Sequence, residues 1–267
     1  MFALESQSKN NMTKTISISV HVDGYYGFKI GISNMLRLFK KYNIGASFFV
    51  NLGREANIID LLKYRNKNRI NERDKRVVSR YTKLQLACMC LLNRKIGSGN
   101  ISLLRRIKSF GHEVNPHAWS HLKWSKDFSN FNYKKEIGLM NKIHKRAFGT
   151  NPEGFSPPDW KYDSRILKEL KNLGFKYLGI NGPGDKIKKV EGISLIPLSF
   201  DKNLEELEGE GLTSEQILQI YKKEISKNYV NLYFHADYEG IRGLRMFEKI
   251  LQLIDSKKVK TYGELIK

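Results

Sequence analysis

The sequence predicts an α/β fold in which a parallel sheet closes, or nearly closes, into a barrel. Three observations carry this. Segments of strand character alternate with amphipathic helical segments about seven times along the 267 residues, the pattern of successive βα units. No stretch rich in Pro, Gly or Ser divides the chain, which reads as one domain with an insertion. No apolar run reaches the roughly 18 residues that a membrane-spanning helix needs.

The elements follow in order. TISISVHVD (15–23) alternates β-branched and polar residues and forms the first strand. KIGISNMLRLFKKYNI (29–44) gathers Ile32, Met35, Leu36 and Phe39 on one helical face. ASFFVNL (46–52) is the second strand, and a basic insertion at about 54–100, helical in pieces, ends near Gly97 and Gly99. ISLLRRIKSF (101–110) is a helix stopped by Gly111, and HEVNPH (112–117) is the third strand. YKKEIGLMNKIHKRAF (133–148) is helical and FSPP (155–158) is a short strand end. SRILKELKNLGF follows Asp163 as N-cap and stops at Gly174. KYLGI (176–180) and ISLIPLSF (193–200) are strands, and NGPGD (181–185) reads as a turn, since it lacks phosphate-loop spacing. Thr213 and Gln216 form a capping box before ILQIYKKEI. NLYFHAD (231–237) is a strand, LRMFEKILQLI (244–254) a helix, and VKTYGELI closes the chain. Residues 1–14 read as a polar leader without secretory character, with Met12 as an alternative start.

Charge is the strongest compositional signal. A net +20 implies an anionic partner: nucleic acid, an acidic membrane face or a phosphorylated substrate. Between Lys63 and Lys108 fourteen Lys and Arg face two acids, Glu72 and Asp74, with Val77, Val78, Leu84, Leu86, Leu91 and Leu92 interspersed. Such a segment either lies on anionic lipid or is simply a solvated helical face. No nucleic-acid recognition module is visible, so no nucleic-acid partner is expected. Cys88 and Cys90, two apart in an apolar stretch, suit a reducing compartment, and a cytoplasmic location is expected.

In a parallel barrel the chemistry collects at the C-terminal strand ends. Three polar clusters fall there: His21 with Asp23, His117 with His121, and His235 with Asp237. Imidazole nitrogens and a carboxylate converging on one rim form a donor set suited to Zn²⁺. The His-x-x-x-His spacing of His117 and His121 would share a face on one helical turn, although core histidines also produce it. His112 reads as a strand-entry residue and His144 as part of a basic helix face.

The blocks VHVDG, GHEVNPHAWSH, GFSPPDW and LYFHADYEG, in this order, resemble those of the NodB-type polysaccharide deacetylases. The similarity is greatest to the branch acting on amino sugars linked to undecaprenyl phosphate. It runs from about residue 15 to 266 and implies a distorted (β/α) barrel, often seven-stranded. It implies Asp23, His117 and His121 as ligands of a divalent metal, and His235 as the acid toward the leaving amine. It also implies a lipid-linked amino-sugar substrate that loses an N-acetyl or N-formyl group. The enzyme would work on the inner face of the cytoplasmic membrane, with the basic insertion meeting the anionic surface.

Two departures from the family pattern stand out. His21 occupies the place of the usual base aspartate, and Ser156-Pro157-Pro158 replaces the arginine that steadies that base. His21 is therefore either a substitute base, since imidazole accepts a proton near neutral pH, or a structural or substrate-binding residue. The aspartate that usually tunes the acid histidine is not evident near Asn181; Asp237 or Glu239 could take its place. Asp159 and Trp160 follow a double proline at the expected barrel mouth, where they would bind sugar hydroxyls and stack on a ring, or pack a loop. Tyr25, beside Tyr26, either lines the cleft or covers the barrel top.

Overall fold

The computed structural model describes residues 14–65, 80–182, 184 and 186–267. The expected leader lies outside the described residues but for Lys14, as do Val77 and Val78 of the insertion.

Among the described residues eight strands form two four-stranded sheets, ordered β3-β2-β1-β8 and β4-β5-β7-β6. They are β1 (Thr15–Val22), β2 (Ser47–Asn51), β3 (Glu113–Ala118), β4 (Gly154–Phe155), β5 (Tyr177–Ile180), β6 (Lys188–Val190), β7 (Ile193–Pro197) and β8 (Tyr229–His235). Six ladders join them among the described residues, and only β6–β7 is antiparallel. Setting β6 aside leaves seven strands around a distorted barrel, as expected. Side chains stitch its two seams. Between β3 and β4, Asn115 Oδ1 accepts from Gly154 N (2.9 Å) while its Nδ2 donates to Tyr177 Oη (2.6 Å). Between β7 and β8, Ser199 N donates to the Asn231 carbonyl (3.2 Å), and Asn231 Nδ2 and Tyr229 Oη both donate to the Pro197 carbonyl (2.8 and 2.7 Å).

Alternation along β1 sorts its side chains. Ile16, Ile18, Val20 and Val22 enter the large core between sheet and helices, whereas Ser17, Ser19 and His21 are buried polar residues on the other face. A separate apolar cluster of Phe49, Tyr177, Ile196 and Tyr262 fills the barrel interior. Tyr262 belongs to the closing segment. Its amide donates to Ser47 Oγ (2.8 Å) and its hydroxyl to Asn231 Oδ1 (2.9 Å), so this segment plugs the floor and leaves the opposite, C-terminal mouth for chemistry.

The helices are α1 (Ile32–Tyr42), α2 (Ile58–Arg65), α3 (Lys83–Leu92), α4 (Ile101–Ser109), α5 (His121–Lys126), α6 (Tyr133–Phe148), α7 (Ser164–Asn172), α8 (Leu204–Gly209), α9 (Ser214–Ile225), α10 (Leu244–Leu251) and α11 (Tyr262–Leu265). Most follow the sequence periodicity, with four informative differences. The helix expected from residue 29 opens with a π-helical turn, Gly27–Gly31, before α1. His121 begins α5 while His117 lies in β3, so the pair meets across a strand end and not on one helical turn. His144 is buried, not part of a basic surface, its ring nitrogens 2.9 Å from the Thr150 carbonyl and 3.1 Å from the Val114 carbonyl. Strand β6 and helix α8 were not expected; β6 is exposed throughout, so no alternation marks it.

The insertion leaves the mouth after β2 and returns to it, with an isolated bridge between Arg54 and Lys95 at its base. Its helix α3 is apolar yet little covered: Leu84, Leu91 and Leu92 are 75%, 77% and 56% exposed. In contrast, α4 buries Leu103, Leu104 and Ile107 in the core. Arg105, Arg106 and Lys108 therefore ride on a barrel helix and lie outside the insertion.

Candidate metal centre and active site

Strand ends β1, β3 and β8 and the start of α5 deliver Asp23, His117, His235 and His121 to one point of the mouth. One ligand atom each from Asp23, His117 and His121 lies within 4.8 Å of the others. Asp23 Oδ1 is 3.3 Å from His117 Nε2 and 3.8 Å from His121 Nε2. On its other side Oδ2 is 3.7 Å from both His235 Nε2 and Arg80 Nη1.

Two features fit this trio to a divalent cation. Asp23 Oδ1 is buried without a hydrogen-bond partner, a costly state for a carboxylate oxygen unless a positive charge meets it. His117 Nδ1 donates to the Ser156 carbonyl at 2.5 Å, which leaves the Nε2 lone pair aimed at that same oxygen. A backbone carbonyl behind a ligating imidazole is the arrangement that fixes a metal-binding tautomer. Burial pushes the Asp23 carboxyl up, but the imidazoles of His121, His117 and His235 outweigh it and hold the carboxyl well below its ordinary range.

Asp237 fixes the loop that carries Asp23. Its Oδ2 accepts from the amides of Asp23 (3.1 Å) and Gly24 (3.2 Å), and its Oδ1 from Gly27 N (3.1 Å) and Tyr81 Oη (2.8 Å). A Cβ at Gly27 would collide with this carboxylate, so glycine is required by close approach. Arg80, the neighbour of Tyr81, forks onto Glu205 through Nε (2.8 Å) and Nη2 (2.5 Å). Both partners are buried, so the pair depends on this bidentate geometry. The insertion thus supplies two residues to the wall of the site. Neither was foreseen, because nothing in a basic stretch marks which arginine turns inward.

His21 sits deep in the mouth. Its Nε2 is 3.3 Å from Ser156 Oγ, and its ring is ringed by Phe49, His117, Trp160, Tyr233 and His235 at centroid distances of 4.7 to 6.0 Å. Burial first, then the neighbouring His117 and His235, lower its pKa well below the usual histidine value, so the ring is neutral. The two departures from the family pattern therefore touch each other. On the far side, His235 N donates to Glu239 Oε2 at 2.7 Å, and burial pushes the Glu239 carboxyl up to about 8. His235 Nδ1 is 2.9 Å from Asn203 Nδ2. Neither Asp237 nor Glu239 holds that nitrogen; an asparagine does, and its only sequence signal was a capping pattern, Asn203 with Glu206.

The expected substrate-binding residues divide. Trp160 enters the site, its ring 5.7 Å from His21 and perpendicular to Tyr233 at 5.1 Å. Asp159 and Trp160 both have positive φ (51° and 50°), backbone strain of the kind that concentrates at functional sites. Asp159 Oδ2 lies 3.8 Å from Lys161 Nζ at the rim. Tyr25 is farther out. Its amide donates to Glu55 Oε1 at 2.8 Å and its ring lies under the Arg94 guanidinium at 4.6 Å.

Comparison with known proteins agrees with this architecture. The chain is 22% identical over 252 residues to the "Probable 4-deoxy-4-formamido-L-arabinose-phosphoundecaprenol deformylase ArnD" of Shewanella sediminis (strain HAW-EB3), covering 91% of this chain and 82% of that protein. It is 25% identical over 255 residues to the protein of the same name from Wigglesworthia glossinidia brevipalpis, covering 85% and 83%. A probable polysaccharide deacetylase from Pseudomonas aeruginosa PAO1 has a similar fold, with a TM-score of 0.60 at 14% identity over 92% of this chain and 87% of that one. Residues 10–178 match the family described as "Polysaccharide deacetylase"; with this match and the barrel described above, the chain belongs to the polysaccharide deacetylase family.

Proposed function

We propose that the protein is a metal-dependent amide hydrolase that removes an N-formyl or N-acetyl group from an amino sugar carried on undecaprenyl phosphate. The observation that carries the reading is the convergence of Asp23, His117 and His121 on one unpartnered carboxylate oxygen at the barrel mouth. The names of the two curated relatives support the substrate class. A divalent ion held by these three residues, with Zn²⁺ suited to nitrogen and oxygen donors, would polarise the acyl carbonyl and acidify a water.

The chain's own residues do the rest. His21, neutral and braced by Ser156, lines the inner side of the mouth and offers the substrate a ring nitrogen to hydrogen-bond. His235 faces the amide from the opposite wall. Trp160 offers a ring face to the sugar, Asp159 takes a hydroxyl, and Tyr25 borders the entrance. Because extracting a long lipid costs about 0.8 kcal/mol per CH₂, the mouth must come to the membrane. The exposed leucines of α3 and the basic residues around them suit the anionic inner leaflet. No helix of the described residues is long and apolar enough to cross a membrane, which fits a peripheral attachment.

The test combines metal analysis with turnover. Purified protein should carry about one Zn²⁺ per chain, and Asp23→Ala, His117→Ala and His121→Ala should each lose it. Parent protein should deacylate a synthetic undecaprenyl-phosphate formamido or acetamido sugar, read by mass spectrometry. Unchanged metal content in all three variants would reject the centre; absence of both products would reject the substrate.

A further inference from the structure

Three imidazoles lie against the Asp23 carboxylate, and the groups behind two of them, His117 and His235, differ. Behind His117 stands a carbonyl, that of Ser156, which takes the Nδ1 proton and leaves Nε2 as a lone pair. Behind His235 stands the side-chain amide of Asn203, which is itself buried.

The orientation of that amide is set by a second job. Asn203 is the N-cap of α8: its Oδ1 accepts from Glu206 N at 2.9 Å, and Glu206 Oε2 accepts from Asn203 N at 3.0 Å. The Glu206 carboxylate also accepts from Tyr233 Oη at 2.6 Å, which locks the box from the site side. Turning the amide over would set an NH₂ against the Glu206 N–H, donor against donor. The Nδ2 group therefore points at His235 and donates, and His235 Nδ1 must accept. In the neutral ring the proton then resides on Nε2, the nitrogen 3.7 Å from Asp23 Oδ2.

We infer that Asn203 is a positioning residue that fixes His235 as the Nε2–H tautomer, so that this histidine meets the substrate as a hydrogen-bond donor and is barred from the ligand set. The same site sorts His117 and His235 by what lies behind each ring: a carbonyl makes His117 a ligand, and an amide makes His235 a donor. A donor at that place suits the acyl oxygen or the leaving nitrogen of an amide, and in this the inference rests on the proposed function. The tautomer itself does not.

The test is nitrogen NMR of the full-length protein, as purified with its metal and with its histidines labelled with ¹⁵N. His235→Gln assigns the resonances by loss, and the spectrum is taken at a pH where the rings are neutral. The expected result is an unprotonated Nδ1 and a protonated Nε2 at His235, with the opposite pattern at His117. The decisive variant is Asn203→Asp. Aspartate caps a helix as well as asparagine, so stability should hold, but a carboxylate can only accept, and the His235 proton should move to Nδ1. A protonated Nδ1 in the parent, or the same ring pattern in parent and Asn203→Asp, would overturn the inference. If the pattern is as expected but no deacylation of any amide is found, the tautomer stands and the proposed function falls.

Discussion

Glu239 shows how much of this site is held by groups that never meet substrate. Its carboxyl is fully buried, accepts from the His235 amide, and keeps its proton up to about pH 8 because burial disfavours the charge. An unfolded glutamate loses that proton near its ordinary value of 4.5. Between these values the folded state binds the extra proton, so stability falls as pH rises through the window, by up to about 1.4 kcal/mol per unit. Glutamine keeps the acceptor and does not titrate. Glu239→Gln should therefore melt progressively higher than the parent as pH rises from 5 to 8, a trend thermal denaturation at several pH values would show. A difference independent of pH would mean that the parent carboxyl is already ionised. Of the site itself, Asp23, His117, His121, His21 and His235 were legible because strand ends and the family's blocks both marked them. Arg80, Tyr81, Asn203 and Glu205 were not. Their partners lie far away in sequence, and no local period announces a contact that only the closed barrel creates.

At the scale of elements, the alternation of strands and helices was readable because each helix must bury one stripe and each strand one face. Where that pressure is absent, as in exposed β6, or an element is too short to show a period, as in α8, the pattern did not mark it. The π-helical turn before α1 is a third case, and its cause is contact. Gly31 lies against the Ala236 carbonyl, where a Cβ would collide with backbone. Gly240 packs back on Gly31 from the same β8 loop. Gly31→Ala should cost about 3 kcal/mol, at the upper end for overpacking, because no rotamer can relieve a backbone clash. Denaturant unfolding measures it, and a loss below about 1 kcal/mol would show that the turn yields.

The whole molecule is a barrel plugged at one end, with an insertion at the other whose described helix α3 exposes Leu84, Leu91 and Leu92. Vesicle co-sedimentation across a salt series tests what the insertion does. Anionic vesicles should bind the protein and neutral ones weakly, with part of the binding lost as salt shortens a Debye length of only ~8 Å at physiological strength. Lys63→Gln, Lys83→Gln and Lys95→Gln together should remove the salt-sensitive part. Leu84→Ser, Leu91→Ser and Leu92→Ser should remove what remains at high salt. Equal binding to both vesicle types would reject the docking role, and retention on nucleic acid instead would redirect the charge to another partner.

The seam between β3 and β4 has a consequence for how such a barrel wears. No ladder joins these two strands among the described residues; Asn115 and the bond from His117 to Ser156 hold them edge to edge. Amide protons shielded by so few bonds should be the first of the barrel wall to trade with deuterium. Since one of those bonds also turns the His117 ring, each opening of the wall briefly disorders the catalytic mouth. The exchange lifetime of the Gly154 amide is then a clock for how often the resting protein loses, and regains, its readiness to act.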